Sequence, residues 1–450
     1  MAKTSSKTIF LCNGCGNEFP KWHGQCPACN EWGTLSEFHP SKTRRKTNGA
    51  PAKETKALHT LTKNTDHKRT SSGLNEVDRV LGGGMLAGSM ILLGGQPGIG
   101  KSTLALQVIA GSDQTALYVS AEESDEQLAL RAERLGIKTK NLHVSGENEI
   151  LNVLEQVSVI QPSFVIIDSI QTVYNEDLDS LPGSISQIRD CGQQLLNACK
   201  QKGFTVMVIG HVTKEGNIAG PKMLEHMVDT VLYLEGDERY DHRILRSVKN
   251  RFGATNEVGI FHMSSTGLDE VTNPSELFLA ERTENTAGTA IFPSMEGSRP
   301  ILVEVQALVS KANFGTPQRN ANGVDTRRLS MLLAVLEKRL GIIMGMNDVF
   351  VNLVGGLKIQ DPAADLAIIA ALSSSNANDP IANGTVLIGE VGLAGEVRSV
   401  SKIEQRLQES AALGFNVAIV PERNLKDKRS IKGLKVVGVK SVKDAFNSIF

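Results

Sequence analysis

Gly95-Gln96-Pro97-Gly98-Ile99-Gly100-Lys101-Ser102-Thr103 is the stretch whose reading decides the fold. It fits G-x-x-x-x-G-K-[ST], a phosphate-binding loop. Upstream, Ser89-Met90-Ile91-Leu92-Leu93 is a short apolar run closed by Gly94 and Gly95, which reads as a buried strand. Downstream, Thr103-Leu104-Ala105-Leu106-Gln107-Val108-Ile109 is rich in helix formers. Strand, glycine loop and helix are the context the motif requires. Glycines let backbone N–H groups close around phosphate oxygens, and the helix N-terminus adds positive potential. All nine residues from Gly95 to Thr103 are therefore candidates for binding ATP. Lys101 is expected to reach the β- and γ-phosphates, and Ser102 to hold Mg²⁺. The bland alternative is a glycine turn that binds nothing.

Outward from the loop, strands and helices alternate. Ala116 to Ala121, Leu142 to Val144, Phe164 to Ile167 and Phe204 to Ile209 read as strands. Asp125 to Leu135, Glu149 to Ile160 and Ile185 to Lys200 read as helices. The alternation implies a mostly parallel sheet covered on both faces, with ligands at the carboxyl ends of its strands. Phe164-Val165-Ile166-Ile167-Asp168 is an apolar strand finished by a carboxylate, so Asp168 is the second candidate for Mg²⁺. Another strand ends in Glu122-Glu123, and Glu122 is the candidate to orient or deprotonate the attacking water. The competing reading pairs these carboxylates with the dipole of the helix that follows. His211 ends a third strand, where it could sense the γ-phosphate. The glycine-rich loop beyond it, with Lys214 and Lys222, could touch DNA or simply be surface. Arg243 to Val248 forms a later strand running into Lys249-Asn250-Arg251-Phe252-Gly253. Two cations two residues apart project to one side of an extended chain. Lys249 and Arg251 cannot readily reach their own phosphate loop, so they suit a neighbouring subunit's nucleotide. A charged edge-strand guard is the alternative.

Cys12-Asn13-Gly14-Cys15 and Cys26-Pro27-Ala28-Cys29 are two C-x₂-C pairs ten residues apart. Two such pairs complete a tetrahedral, structural Zn²⁺ site, with a redox pair as the alternative. So small a segment cannot build an apolar core, and the metal would supply its folding energy. His23 is a spare candidate ligand. Trp22 and Trp32, the chain's only tryptophans, flank the second pair, where they would cover the metal or stack on a base. Cys191 and Cys199 sit in a helical stretch and read as packing residues.

The chain has 450 residues, 40% hydrophobic and 22% charged, with net charge −1. That balance conceals an asymmetry. Residues 1–72 hold twelve Lys/Arg against five Asp/Glu, +7, which leaves −8 for the rest. A basic arm can favour a polyanion or be only a solvated linker. No apolar run is long enough to span a membrane, and Ile9-Phe10-Leu11 is too short for a signal peptide, so a cytoplasmic protein without membrane contact is expected. From about Gly288 a separate α+β region begins. Ile301 to Val309 and Val349 to Leu353 read as strands, Arg328 to Leu340 as an amphipathic helix, and Asp361-Pro362 as the start of another helix through Leu372.

With the finger, the phosphate loop and Lys249-Asn250-Arg251-Phe252-Gly253 in place, the chain resembles the bacterial RadA (Sms) family over essentially its whole length. The resemblance implies an α/β fold with a RecA-like ATPase core, a ring-shaped homo-hexamer and ATP-driven movement on single-stranded DNA. It also implies cooperation with RecA in extending strand exchange and processing branched DNA. Asp361-Pro362-Ala363-Ala364 and Gly389-Glu390-Val391-Gly392-Leu393-Ala394-Gly395-Glu396-Val397 are similar to the Lon peptidase domain. Lon peptidases place a serine where Ala363 stands and a lysine at the position of Glu404, with Lys402 nearby. Without the hydroxyl the serine–lysine mechanism is unavailable. The expected organisation is finger 1–35, flexible basic linker 36–65, ATPase core 66–275 and inactive Lon-like domain 285–450. The expected activity is DNA-dependent ATP hydrolysis in recombinational repair. The alternative is a RecA-like ATP-driven switch or kinase acting on proteins.

Overall fold

The computed structural model describes residues 9–12, 17–28, 30–38, 69–425 and 431–450, apart from 113, 121, 139, 212–218, 237–240, 256, 280–284, 313–314, 357–358 and 360. Two units emerge. One runs through Gly236 and takes in Asp241–Glu270; the other covers Val271–Phe450. Among the described residues no helix is long and apolar enough to cross a membrane.

At the N-terminus, β1 (Ile9–Cys12), β2 (Glu18–Phe19) and β3 (Leu35–Phe38) form an antiparallel sheet in the order β2-β1-β3. Its described core is Cys12, Cys26 and Leu35, with Phe10 and Phe19 packed against them. That is far too little apolar area to hold a fold by itself. Trp22 and Trp32 do not add to it: they are 60% and 76% exposed.

In the rest of this unit come β4 (Arg69–Thr70), α1 (Asn75–Leu81), β5 (Met85–Leu86), β6 (Met90–Gly95), α2 (Lys101–Ala110), β7 (Ala116–Ser120), α3 (Asp125–Arg134), β8 (Leu142–Ser145), α4 (Ile150–Ile160), β9 (Phe164–Asp168), α5 (Ile185–Lys202), β10 (Thr205–His211), α6 (Ala219–Met227), β11 (Thr230–Glu235), β12 (His242–Asn250), β13 (Val258–Ser264) and β14 (Gly267–Glu270). A nine-stranded sheet takes the order β14-β13-β12-β11-β6-β10-β9-β7-β8. The six strands from β11 to β8 are parallel, and β12, β13 and β14 extend the β11 edge antiparallel.

Why the apolar runs are unbroken follows from burial on both faces. Ile91, Leu93, Ile166, Met207 and Ile209 point into one core with Leu104, Leu106, Val108 and Ile109 of α2. Met90, Leu92, Val165, Ile167, Val206 and Val208 point into the other with Ile188, Cys191, Leu195 and Cys199 of α5. Each such large side chain contributes roughly 1.5–3 kcal/mol. The alternation along each strand is the two-residue period of the pleat. Burial pushes the Cys191 and Cys199 thiols up to about 12 and about 11, so both are packing residues and poor nucleophiles. Local signals mark the helix ends. Ser124 and Gln127 form a capping box on α3, and Gly82 closes α1 in the left-handed region.

Within the second unit lie α7 (Pro274–Leu279), β15 (Thr289–Glu296), β16 (Arg299–Lys311), β17 (Arg319–Asn322), α8 (Thr326–Val335), β18 (Asn347–Leu353), α9 (Asp365–Ala377), β19 (Thr385–Leu387), β20 (Glu390–Val391), β21 (Val397–Arg398), α10 (Ile403–Ala412), β22 (Val417–Pro421), β23 (Lys435–Val439) and α11 (Val442–Ile449). Seven strands form one sheet in the order β17-β18-β16-β15-β19-β22-β23. The helix expected over Arg328–Leu340 changes pitch: Leu336–Leu340 is a π turn closed by the Gly341 N–H on the Leu336 carbonyl. The wider turn carries Leu340 out of the apolar stripe to a half-buried position, whereas Leu336 stays buried. At the other helix, Pro362–Ala364 is a 3₁₀ turn and α9 runs five residues past Leu372. Asp361 accepts from the Ala363 N–H at 3.0 Å and from Arg406 Nη2 at 2.5 Å. Arg406 is itself buried and also donates to the Pro293 carbonyl.

Candidate functional site

The carboxyl ends of β6, β7, β9 and β10 bring the loop and the polar strand ends to one edge of the sheet. The phosphate loop leaves β6 and delivers Lys101 as the first residue of α2. Glycine is obligatory at two of its positions. A Cβ on Gly95 would lie 2.6 Å from the Leu234 carbonyl oxygen, and Gly100 begins the helix at φ 113° with the Met263 methyl 2.6 Å away. Lys101 Nζ donates to the Gly95 and Gln96 carbonyls at 3.0 and 2.9 Å, inside the curve of the loop. Burial lowers its pKa to about 8, opposed by the charges of Asp168 and Glu122. A phosphate in that curve would meet a cation whose own partners are only loop carbonyls.

Asp168 ends β9, with β10 between it and β6. Its Oδ2 accepts from Tyr118 Oη at 2.5 Å. Its Oδ1 is buried and has no hydrogen-bond partner. An orphaned carboxylate oxygen beside a phosphate loop fits a divalent cation. Tyr118 is fully buried, and burial with the neighbouring Asp168 charge pushes its phenol far up, so it remains a donor.

The Glu122-Glu123 pair divides. Glu123 is held in an ion pair by Arg131 of α3. Glu122 Oε1 accepts from Ser169 Oγ at 2.5 Å and lies 3.3 Å from His211 Nε2. His211 Nδ1 is buried without a partner. Lys101, Asp168, Glu122 and His211 thus form one cluster, with Glu122 partly exposed and so accessible to a water.

Lys249 and Arg251 lie elsewhere. Because β12 runs antiparallel to β11, its end pairs with Thr230 and Val231, at the far end of the sheet from the phosphate loop. A bulge there places Val248 between the pairs Leu232–Ser247 and Val231–Lys249. Lys249 Nζ donates to the carbonyls of Glu225, His226 and Val228, at the C-terminal end of α6, at 2.6, 3.3 and 2.8 Å. Arg251, just beyond the strand, pairs with Asp229 at 3.4 Å. Lys214 and the Lys222 side chain fall outside the described residues, as do Cys15 and Cys29. Cys12 and Cys26 are both fully buried, as ligands of a structural metal would be.

Three residues of the site were not singled out from the sequence as part of it. Tyr118 and Ser169 touch the two carboxylates through contacts 50 and 47 residues apart in the chain. Arg243, at the start of β12, is buried and donates from Nε to the Ile99 carbonyl at 3.2 Å, bracing the phosphate loop from its own sheet.

Comparison with known proteins places these features in a family. A family model described as AAA domain matches residues 55–217, one described as Rubredoxin metal binding domain matches 10–37, and one described as Subunit ChlI of Mg-chelatase matches 315–424. A KaiC-like protein from Pyrococcus horikoshii aligns over 45% of the chain and 99% of its own length at 21% identity, with a TM-score of 0.38. DNA repair protein RadA of Bacillus subtilis is 49% identical, covering 100% of this chain and 99% of its own. The protein of that name from Listeria monocytogenes is 48% identical (99% and 98% covered), and that from Streptococcus pyogenes serotype M1 is 45% identical (100% of each). With a metal-binding ribbon, a RecA-like ATPase core and a Lon-like C-terminal unit matched from end to end, the chain belongs to the RadA family.

Proposed function

We propose that the protein is a DNA-dependent ATPase of recombinational DNA repair. It hydrolyses ATP, moves on single-stranded DNA as a cytoplasmic homo-hexamer, and processes branched intermediates together with RecA. The observation that carries the reading is the convergence of Lys101, Asp168 and Glu122, with Asp168 Oδ1 buried and unpartnered. Ser102 and Asp168 would hold Mg²⁺, which when bound neutralises charge on the β- and γ-phosphates. Lys101 turns from the loop carbonyls to the phosphates. Glu122, held by Ser169 and His211, orients the attacking water and takes its proton. His211 ends β10, so a change at Glu122 reaches the segment that follows, where Lys214 and Lys222 are the proposed DNA contacts.

Lys249 and Arg251 serve the neighbouring subunit's nucleotide. Their position at the far end of their own sheet from its phosphate loop supports this. The four cysteines hold Zn²⁺, supported by the buried Cys12 and Cys26 and by the matched metal-binding ribbon. The Lon-like unit is a scaffold without peptidase activity. Ala363 is fully buried and has no hydroxyl, and Lys402 Nζ is engaged with the Gly297 carbonyl at 2.7 Å. The deciding experiment is ATP turnover by the full chain with and without single-stranded DNA. Stimulation is expected; a rate that DNA leaves unchanged refutes the motor and favours a switch acting on proteins.

A further inference from the structure

The N-terminal ribbon carries two large aromatic side chains that its own fold leaves uncovered. Trp22 is 60% and Trp32 76% exposed, although the ribbon has hardly any apolar core and could use both. Both reach toward Gly24. A Cβ placed on Gly24 would lie 3.7 Å from Trp22 Cη2 and 3.7 Å from Trp32 Cζ3, so the six-membered edges of both indoles converge over a residue with no side chain. The backbone beneath is fixed. Gly33 N–H donates to the Gly24 carbonyl at 2.8 Å and Cys26 N–H to the Glu31 carbonyl at 2.9 Å, while Gln25 pairs with Trp32 across the hairpin. Two exposed indoles, one on the pinned hairpin and the other just ahead of it, make a surface for sequence-tolerant stacking.

Charge decides which flat partner. Residues 1–38 are neutral, with three Lys against three Asp/Glu. Residues 39–69, which follow Trp32 directly, hold nine Lys/Arg against two Asp/Glu. A stacking pair followed by a strongly cationic segment matches a polyanion with exposed rings. We infer that Trp22 and Trp32 form a stacking site for unpaired bases of a single-stranded nucleic acid, separate from the nucleotide site. A duplex hides those ring faces and would gain only the salt-dependent charge attraction. The inference shares with the proposed function only the choice of nucleic acid as partner.

Both indoles of the chain sit at this site, so emission excited at the red edge of the indole band, where the four tyrosines do not absorb, reports on nothing else. Full-length protein is titrated with a short oligothymidylate while tryptophan emission and the anisotropy of a labelled copy are followed. Emission should be quenched along the same curve as the anisotropy rise, equally in Lys101→Ala. A hairpin duplex of equal charge should quench far less. Trp22→Ala and Trp32→Ala, checked for wild-type metal content, should each weaken binding about five-fold or more, and the Phe variants should retain most of it. Oligonucleotide binding with unchanged indole emission overturns this inference and leaves the motor reading intact. Equal quenching by the duplex also overturns it, as does quenching seen only with a protein partner. No binding at all overturns both.

Discussion

Tyr118→Phe removes one oxygen atom and leaves the buried ring in place. The phenol is the only described side chain that donates to Asp168 Oδ2, at 2.5 Å, while Oδ1 has no partner at all. The variant therefore leaves both oxygens of a carboxylate that is 6% exposed without a protein donor. A hydrogen bond to a charged group contributes about 1.5–3 kcal/mol, and losing the partner that orients a metal-binding carboxylate costs about 10- to 100-fold in affinity or activity. The bare carboxylate no longer shares its charge with a phenol donor, which favours the cation. It also loses the contact that fixes its rotation, and in a packed site orientation dominates. The Mg²⁺ concentration for half-maximal ATP hydrolysis should rise about ten-fold, and saturating Mg²⁺ should restore most of the turnover. The assay is steady-state hydrolysis over a Mg²⁺ series at fixed ATP, with a denaturant midpoint to exclude unfolding. An unchanged Mg²⁺ midpoint together with unchanged turnover would refute the reasoning.

Burial lowers the Lys101 pKa to about 8 and phosphate raises it, so nucleotide binds best below pH 8 and loses up to about ten-fold per pH unit above it. Calorimetry at pH 8–9 in two buffers should show proton uptake on binding; no uptake and equal affinity at pH 7 and 9 would contradict the assignment. Lys249→Ala removes a cation from the carbonyls closing α6 and from the proposed neighbouring site. Hydrolysis should fall at least about ten-fold with ATP binding retained, and mixing with Lys101→Ala subunits should recover part of it. Mixed assemblies that form and recover nothing would count against the shared site. Ala363→Ser should create no peptidase activity, and because the position is fully buried it should cost about 1–3 kcal/mol in a denaturant titration; casein cleavage by the variant would overturn the scaffold reading.

The phosphate loop and the strand ending in Asp168 were legible because each is written in adjacent residues. Apolar runs such as Met90–Leu93 and Phe164–Ile167 have no other use than a doubly covered strand, and the glycines of Gly95–Gly100 have no cheaper one than a cradle. Tyr118 was not legible, since a tyrosine in a buried strand looks like core until the register of β7 against β9 sets Ser120 opposite Asp168. Glu122 was the choice over Glu123 from its place at the strand end, and what the sequence could not show is the partner of the other carboxylate, Arg131 of α3. Arg243 looked like an ordinary strand residue, because only the antiparallel return of β12 brings its start beneath the loop.

The bulge at Val248 settles a question of parity. Arg243, Leu245, Ser247, Lys249 and Arg251 are all odd-numbered, and on an unbroken strand they would all look the same way. Leu245 does share a core with Leu234 and Ile99, and Arg243 reaches the Ile99 carbonyl on that side. Lys249 instead pairs with Val231, which belongs to the opposite core with Leu224 and Val228, and its ammonium sits on the end of α6 there. One supernumerary residue thus lets a single strand present a cation to each side of the sheet, the first at its own phosphate loop and the second facing away. Deleting Val248 would set Lys249 directly after Ser247 in a regular strand, still opposite Val231 and still on the side of α6, whereas a further residue inserted there and absorbed without a second bulge would swing it across to the side of Arg243 and leave the carbonyls at the end of α6 bare.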